Sequence, residues 1–255
     1  MSQVSFDLAG KTLIVTGAGR GIGKSIASEA AAFGANVVLG SRNVAECEAV
    51  AATCRDRGVR AAAFRLDIAD PTSIVDFTDH AWREFGTIDV LVNNAGTNIP
   101  KDAIDYSDSE IDDLIDVNFK GTMRMTLASG RRMIASQVRG SVISITSQAG
   151  IIGAPQRVPY GAAKGAVHQM TRSLAGEWAA HQITVNCVAP TFTRTPLLEE
   201  AVKNPEFARH LEKVPMGRLA EPFEIAAAVI YLASNSARMV TGQVLAVDGG
   251  YTTMR

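Results

Sequence analysis

Cysteine is scarce in this sequence: three in 255 residues, Cys47, Cys54 and Cys187, with no CxxC spacing. So sparse and odd a set excludes a disulfide framework and points to free thiols in a reducing compartment. Charge of one sign is also lacking. Lys and Arg number 25 against 26 Asp and Glu, a net charge of −1. No like-charge run forms a tail, so no bulk field draws the chain to nucleic acid or to a membrane surface. No apolar stretch reaches the ~20 residues of a membrane span. The start, MSQVSFDLAGK, has neither the basic opening nor the apolar run of a secretory signal, and the expected location is the cytoplasm. The four histidines, His80, His168, His181 and His210, are scattered without metal-ligand spacing, and no metal is expected. Linkers, low-complexity segments and repeats are missing too, so residues 1–255 are expected to form one domain.

What is present is an alternation. Short apolar runs begin at Thr12, Asn36, Ala61, Asp89, Ser141, Thr184 and Val244, and most are apolar on successive residues rather than on every second one. That pattern suits strands buried on both faces, as in a parallel sheet. Amphipathic segments lie between them. Ile22, Ile26, Ala30 and Phe33 recur at helical spacing before Gly34. A second helix begins near Asp108, with Ile111, Leu114 and Ile115 on one stripe, and a third runs from Pro159 to about Ala180. Strand–helix alternation implies right-handed crossovers, hence an α/β, doubly wound, Rossmann-type sheet of seven mostly parallel strands with helices on both faces. Residues 192–214, rich in Thr, Pro and charge, read as an insertion that serves as a substrate lid.

The first strand, TLIVTG, runs directly into AGRGIGKSIA. Glycines between a buried strand and its helix let helix N-terminal N–H groups meet a pyrophosphate. The usual G-x-G-x-x-G does not fit, because Ile22 stands where it requires glycine. T-G-x-x-x-G-x-G does fit, with Thr16, Gly17, Gly21 and Gly23. That pattern resembles the short-chain dehydrogenase/reductase family in its compact single-domain branch. NNAG at Asn93–Gly96, Ser147 thirteen residues before YGAAK, NCVAPTFTRT, GRLAEPFEIA and TGQVLAVDGG resemble further family motifs in order, over essentially the whole chain.

The second strand ends VVLGSRN. Ser41 stands where an acid would meet the ribose 2′-hydroxyl of NAD, Arg42 follows, and Arg20 lies in the glycine loop. Two guanidiniums suit a 2′-phosphate, so NADP(H) is expected to be preferred, with NAD(H) still possible. Asp67, followed by Ile68, resembles the family acid that touches the adenine; it also reads as a turn or capping aspartate. The resemblance places the cofactor against Gly17, Arg20, Gly21, Ile22, Gly23, Ser41, Arg42, Asp67, Ile68, Asn94, Ala95, Gly96, Tyr160, Lys164, Pro190, Thr193 and Thr195.

Free tyrosine and lysine both titrate near pH ~10, far from neutral. Four residues apart on a helix, Tyr160 and Lys164 share a face, and a nearby ammonium lowers the pKa of a phenol. The resemblance implies a catalytic set of Asn118, Ser147, Tyr160 and Lys164. Tyr160 would be the general acid/base and Ser147 would hold the reacting oxygen. Lys164 would tune the tyrosine and hold the nicotinamide ribose, and Asn118, inside a long helix, would order water that links Lys164 to solvent. Thr191 departs from the pattern, which expects glycine there, and puts the shape of the nicotinamide loop in question.

Asn98, Gln148 and Gln156 offer hydrogen-bonding groups to a substrate that also meets Ser147, Tyr160 and Phe192, with Ile152, Val158 and Leu197 as further wall. That set suits a polyol, sugar or sugar acid, oxidised or reduced between secondary alcohol and ketone. A 3-oxoacyl thioester carried by acyl-carrier protein is the alternative substrate, and a non-catalytic dinucleotide-binding protein the alternative class. An epimerase or dehydratase would need a larger substrate domain. The resemblance further implies a homotetramer that acts on a small molecule.

Overall fold

The computed structural model describes residues 4–195, 198 and 211–253. Seven parallel strands form one sheet: β1 (Thr12–Thr16), β2 (Asn36–Ser41), β3 (Ala61–Arg65), β4 (Val90–Asn93), β5 (Ser141–Ile145), β6 (Thr184–Pro190) and β7 (Val244–Val247). Their spatial order is β3-β2-β1-β4-β5-β6-β7. The chain builds outward from β1 in one direction, then returns to place β4 on its other side. Leu13, for example, is in register with Val37 of β2 and with Val90 of β4. A crevice therefore opens beyond the carboxyl ends of β1 and β4, where this type of sheet binds ligands.

The consecutive apolar residues of each strand divide between two cores. Leu13, Val15, Val37 and Leu39 face one side. There they meet α1 (Gly21–Ala32), α2 (Val44–Arg55) and α7 (Pro222–Ala233). Ile14, Val38, Leu91 and Val142 face the other. Against them pack α3 (Pro71–Phe85), α5 (Thr122–Ala135) and α6 (Val158–Trp178). Neither face of the sheet can be polar, which is why the strands do not alternate.

Local chemistry sets the helix ends. Asp70 caps α3 with Pro71 at its first position, and Gly86 ends it at φ 73°. Ser107 and Glu110 form a reciprocal capping box on α4 (Asp108–Ile115).

Two expected stripes are corrected. Phe33 lies at the C-cap of α1, 42% exposed, because the helix has already ended. On α4 only Leu114 is fully buried, and Ile111 is 37% exposed. Asn118 is not inside a regular helix either. It sits in a π-helical turn, Asp116–Gly121, between α4 and α5. Of the expected lid, Pro196, Leu197 and residues 199–210 lie outside the described residues.

Candidate active site

The glycine loop is shaped by backbone contact. Gly17 (φ 66°) and Gly21 (φ 55°) hold left-handed conformations that a side chain would strain. A Cβ on Gly23 would stand 2.3 Å from the Gly17 carbonyl oxygen and 2.5 Å from Asn94 Nδ2. Asn94 braces this loop: its Nδ2 donates to the carbonyls of Thr16 and Gly17, both at 3.0 Å. Thr16 Oγ1 answers by accepting from the Asn94 and Ala95 amides at 3.0 and 2.9 Å. α1 then starts at Gly21 with no side-chain cap, which leaves its first N–H groups for an anion. Ile22 is partly buried against the α1 core. Thr195 comes from the far side of the sheet, its Cγ2 3.3 Å from where a Gly21 Cβ would be. The residues present fit a dinucleotide pyrophosphate.

At the expected adenosine end, the Ser41 hydroxyl donates to the Asn43 carbonyl at 2.8 Å. Arg20 and Arg42 are exposed and form no ion pair among the described residues. Glu46, which the sequence did not single out, leans on the same loop, its Oε2 2.9 Å from a Gly19 Cβ position. Asp67 accepts from the Ala69 amide at 3.1 Å, so the turn reading holds for one of its oxygens. Ile68 is buried beside it, its carbonyl 2.4 Å from a Gly121 Cβ position.

Ser147 follows β5 and caps a short turn over Gln148–Gly150. Its hydroxyl accepts from the Ala149 amide at 3.2 Å and donates to Gln148 Oε1 at 2.5 Å. Lys164 is buried, and its Nζ donates to the Ile145 carbonyl at 3.2 Å. That ammonium lies 5.6 Å from the centre of the Tyr160 ring. Burial pushes Lys164 down to about 8. Burial also pushes the Tyr160 phenol up, against the opposing influence of a Ser147 hydrogen bond and the Arg157 charge. The lowering expected from a nearby ammonium is opposed here by desolvation, the largest effect on both groups.

Asn118 is fully buried, its Nδ2 donating to the carbonyls of Thr97 (2.8 Å) and Leu114 (3.0 Å). A Cβ on Gly96 would lie 2.9 Å from Asn118 Oδ1 and 3.4 Å from Lys164 Nζ, so glycine is what lets the three approach.

The expected substrate residues separate. Gln148 is buried on Ser147. Asn98 Oδ1 is buried without a partner among the described residues. Gln156 is exposed at φ 61° and donates to Asp102 Oδ1 at 3.1 Å, which directs its amide along the rim. Phe192 is buried edge-on to Tyr251, ring centres 5.8 Å apart, in a small cluster with Val214 and Leu219. Ile152 packs on that cluster and Val158 is exposed. Leu197 lies outside the described residues. Pro190 ends β6 and Thr193 donates to the Thr191 carbonyl at 3.1 Å. Thr191 is absent from the residues with positive φ, so threonine replaces the family's glycine without backbone strain, though its buried Oγ1 has no hydrogen-bond partner among the described residues.

A family model described as Enoyl-(Acyl carrier protein) reductase matches residues 17–252. The chain is also 39% identical to D-threitol dehydrogenase of Mycolicibacterium smegmatis, over 98% of this chain and 96% of the relative. The chain belongs to the short-chain dehydrogenase/reductase family. It is thus an oxidoreductase of alcohol groups. A solved gluconate 5-dehydrogenase of Burkholderia cenocepacia, in complex with NADP and tartrate, superposes with a TM-score of 0.92 at 34% identity, covering 97% of each chain. A 3-oxoacyl-[acyl-carrier-protein] reductase of Thermotoga maritima is 36% identical over 95% of this chain and 98% of the relative. Among the described residues no helix is long and apolar enough to cross a membrane, and no three His, Cys, Asp or Glu side chains gather as a metal site.

Proposed function

We propose that this short-chain dehydrogenase/reductase interconverts a secondary alcohol and a ketone on a polyol, sugar or sugar acid, with NADP(H) preferred over NAD(H). The observation that carries the reading is the placement of the Lys164 ammonium, 5.6 Å from the Tyr160 ring centre and bonded to the Ile145 carbonyl two residues before Ser147. The dinucleotide, when bound, supplies the hydride acceptor or donor. Tyr160 takes the hydroxyl proton of an alcohol on its phenolic oxygen, or returns it to a ketone. Ser147 donates to the reacting oxygen as charge develops there, which requires it to release Gln148. Lys164, still largely protonated at neutral pH with its pKa near 8, favours the phenolate and holds the nicotinamide ribose. Asn118 holds the water route that connects Lys164 to solvent.

Ser41 in place of an acid, and the exposed guanidiniums of Arg20 and Arg42, which form no ion pair among the described residues, support the preference for a 2′-phosphate. The relatives named for threitol and gluconate, with the buried Gln148 side chain and the buried Oδ1 of Asn98, support the hydroxylated substrate. Reduction of a 3-oxoacyl thioester is the second reading, favoured by the Thermotoga relative. Residues 192–214 as lid, a homotetramer and a cytoplasmic location complete the proposal. The test is a panel of polyols, sugar acids, simple ketones and 3-oxoacyl thioesters with both cofactors, followed by nicotinamide absorbance. Turnover of a polyol or sugar acid supports the first reading. Turnover of thioesters alone overturns it in favour of the second, and no turnover with any substrate would point to a binding protein.

A further inference from the structure

His168 carries the next turn of the stripe that begins with Tyr160 and Lys164, at two successive spacings of four on α6. It is buried, and both ring nitrogens are engaged. Nδ1 lies 3.1 Å from the Gly150 carbonyl oxygen and Nε2 lies 2.9 Å from Thr146 Oγ1. A carbonyl only accepts, so Nδ1 carries the proton and donates to Gly150; Nε2 faces the Thr146 hydroxyl, whose single proton it shares with the Val188 carbonyl 3.2 Å away. Burial pushes the ring pKa down, which keeps this neutral tautomer. The two anchors are the residues that flank Ser147, Gln148 and Ala149. The ring also lies close against the turn: a Cβ on Gly150 would come within 2.8 Å of His168 Cε1. Just upstream, Lys164 Nζ holds the Ile145 carbonyl. One helix face thus grips the end of β5 at Ile145, at Thr146 and at Gly150.

We propose that His168 is a positioning residue for the reaction, a two-ended clamp that holds Ser147 at its working distance from Tyr160. This rests on the roles given to Ser147 and Tyr160 above. The ring's hydrogen-bond partners are Gly150 and Thr146, so it acts through the turn.

The experiment compares His168→Leu and Thr146→Val with wild type, alone and in a Ser147→Ala background, by single-turnover rates and by cofactor titration. Each single variant is expected to lose about tenfold to a hundredfold in kcat, the scale of a small misplacement at the reacting centre. Cofactor Kd should stay within about twofold, since the phosphate loop is untouched. In the Ser147→Ala background neither substitution should lower the rate further, because the group being positioned is gone. Thr146→Ser, which restores the hydroxyl, should recover the rate. An unchanged kcat with only a lowered melting temperature overturns the clamp, as does an equal further loss in the Ser147→Ala background. If His168→Leu does not fold, Thr146→Val and its serine rescue decide alone. Tyr160→Phe is assayed in parallel: substantial turnover in that variant sinks the catalytic assignment itself, whereas an inactive Tyr160→Phe beside a fully active His168→Leu sinks only the clamp.

Discussion

The glycine loop and the serine turn both leave the carboxyl end of a parallel strand, yet they are built from opposite materials. The loop after β1 is mostly backbone: left-handed glycines and carbonyls, braced by Asn94, whose side chain bonds only to main chain. The turn after β5 is side chain: Ser147 on Gln148, Thr146 on His168, with a buried ammonium alongside. A diphosphate is the same in every dinucleotide, and backbone N–H groups recognise it without any charged side chain. Proton transfer needs groups whose pKa values differ from those in water, and only buried side chains provide that, at a cost in desolvation.

That contrast can be pressed from both sides. On the side-chain half, Tyr160→Phe should lower kcat by about a thousandfold or more, within the range for loss of a general acid/base, with cofactor Kd unchanged by fluorescence titration. Loss of cofactor binding in parallel would show that the two halves are not separable.

A stability measurement comes next. Lys164 has a folded pKa near 8 against 10.5 for the free group. The folded protein therefore binds fewer protons than the unfolded chain between those values, and this residue's contribution to stability rises with pH through that window. Below pH ~8 its burial costs up to about 3 kcal/mol. Urea denaturation without cofactor should find Lys164→Met more stable than wild type at pH 7, with the gap closing by about pH 10.5. A gap that does not shrink with pH would mean the stabilisation comes from packing.

On the backbone half, Gly23→Ala should weaken dinucleotide binding by about tenfold to a hundredfold, the equivalent of overpacking by 1–3 kcal/mol, and leave the Lys164 titration alone. The collision at 2.3 Å is with a carbonyl, which cannot swing aside as a side chain could. The smallest effect belongs to Arg42→Asp, expected to shift the ratio of kcat/KM for NADP over NAD by about tenfold toward NAD. An unchanged ratio would remove the arginine from the cofactor argument and turn attention to Glu46.

The same division explains what could be read in advance. All seven strands were legible, since burial on both faces leaves apolar runs that begin at Thr12, Asn36 and the rest. The glycine loop was legible because its chemistry is local. Tyr160 and Lys164 were legible as a pair, but the direction of the tyrosine's pKa was not: desolvation is a property of everything packed around the phenol, and no spacing records it. The role of His168 is not legible in the sequence, because its partners, Thr146 and Gly150, come from another strand's end. The π-helical turn at Asn118 left no mark either, for Ile111 and Leu114 continue the ordinary period up to its edge.

That turn has a mechanical meaning. A π turn takes in one residue more than an α turn, so the segment from Asp108 to Ala135 looks like one rod but is two rods out of phase. α4 packs on α6, while α5 packs chiefly on α3 and only lightly on α6. Deleting a single residue between Asp116 and Gly121 would bring the rods into phase and leave only one of those two neighbours properly met.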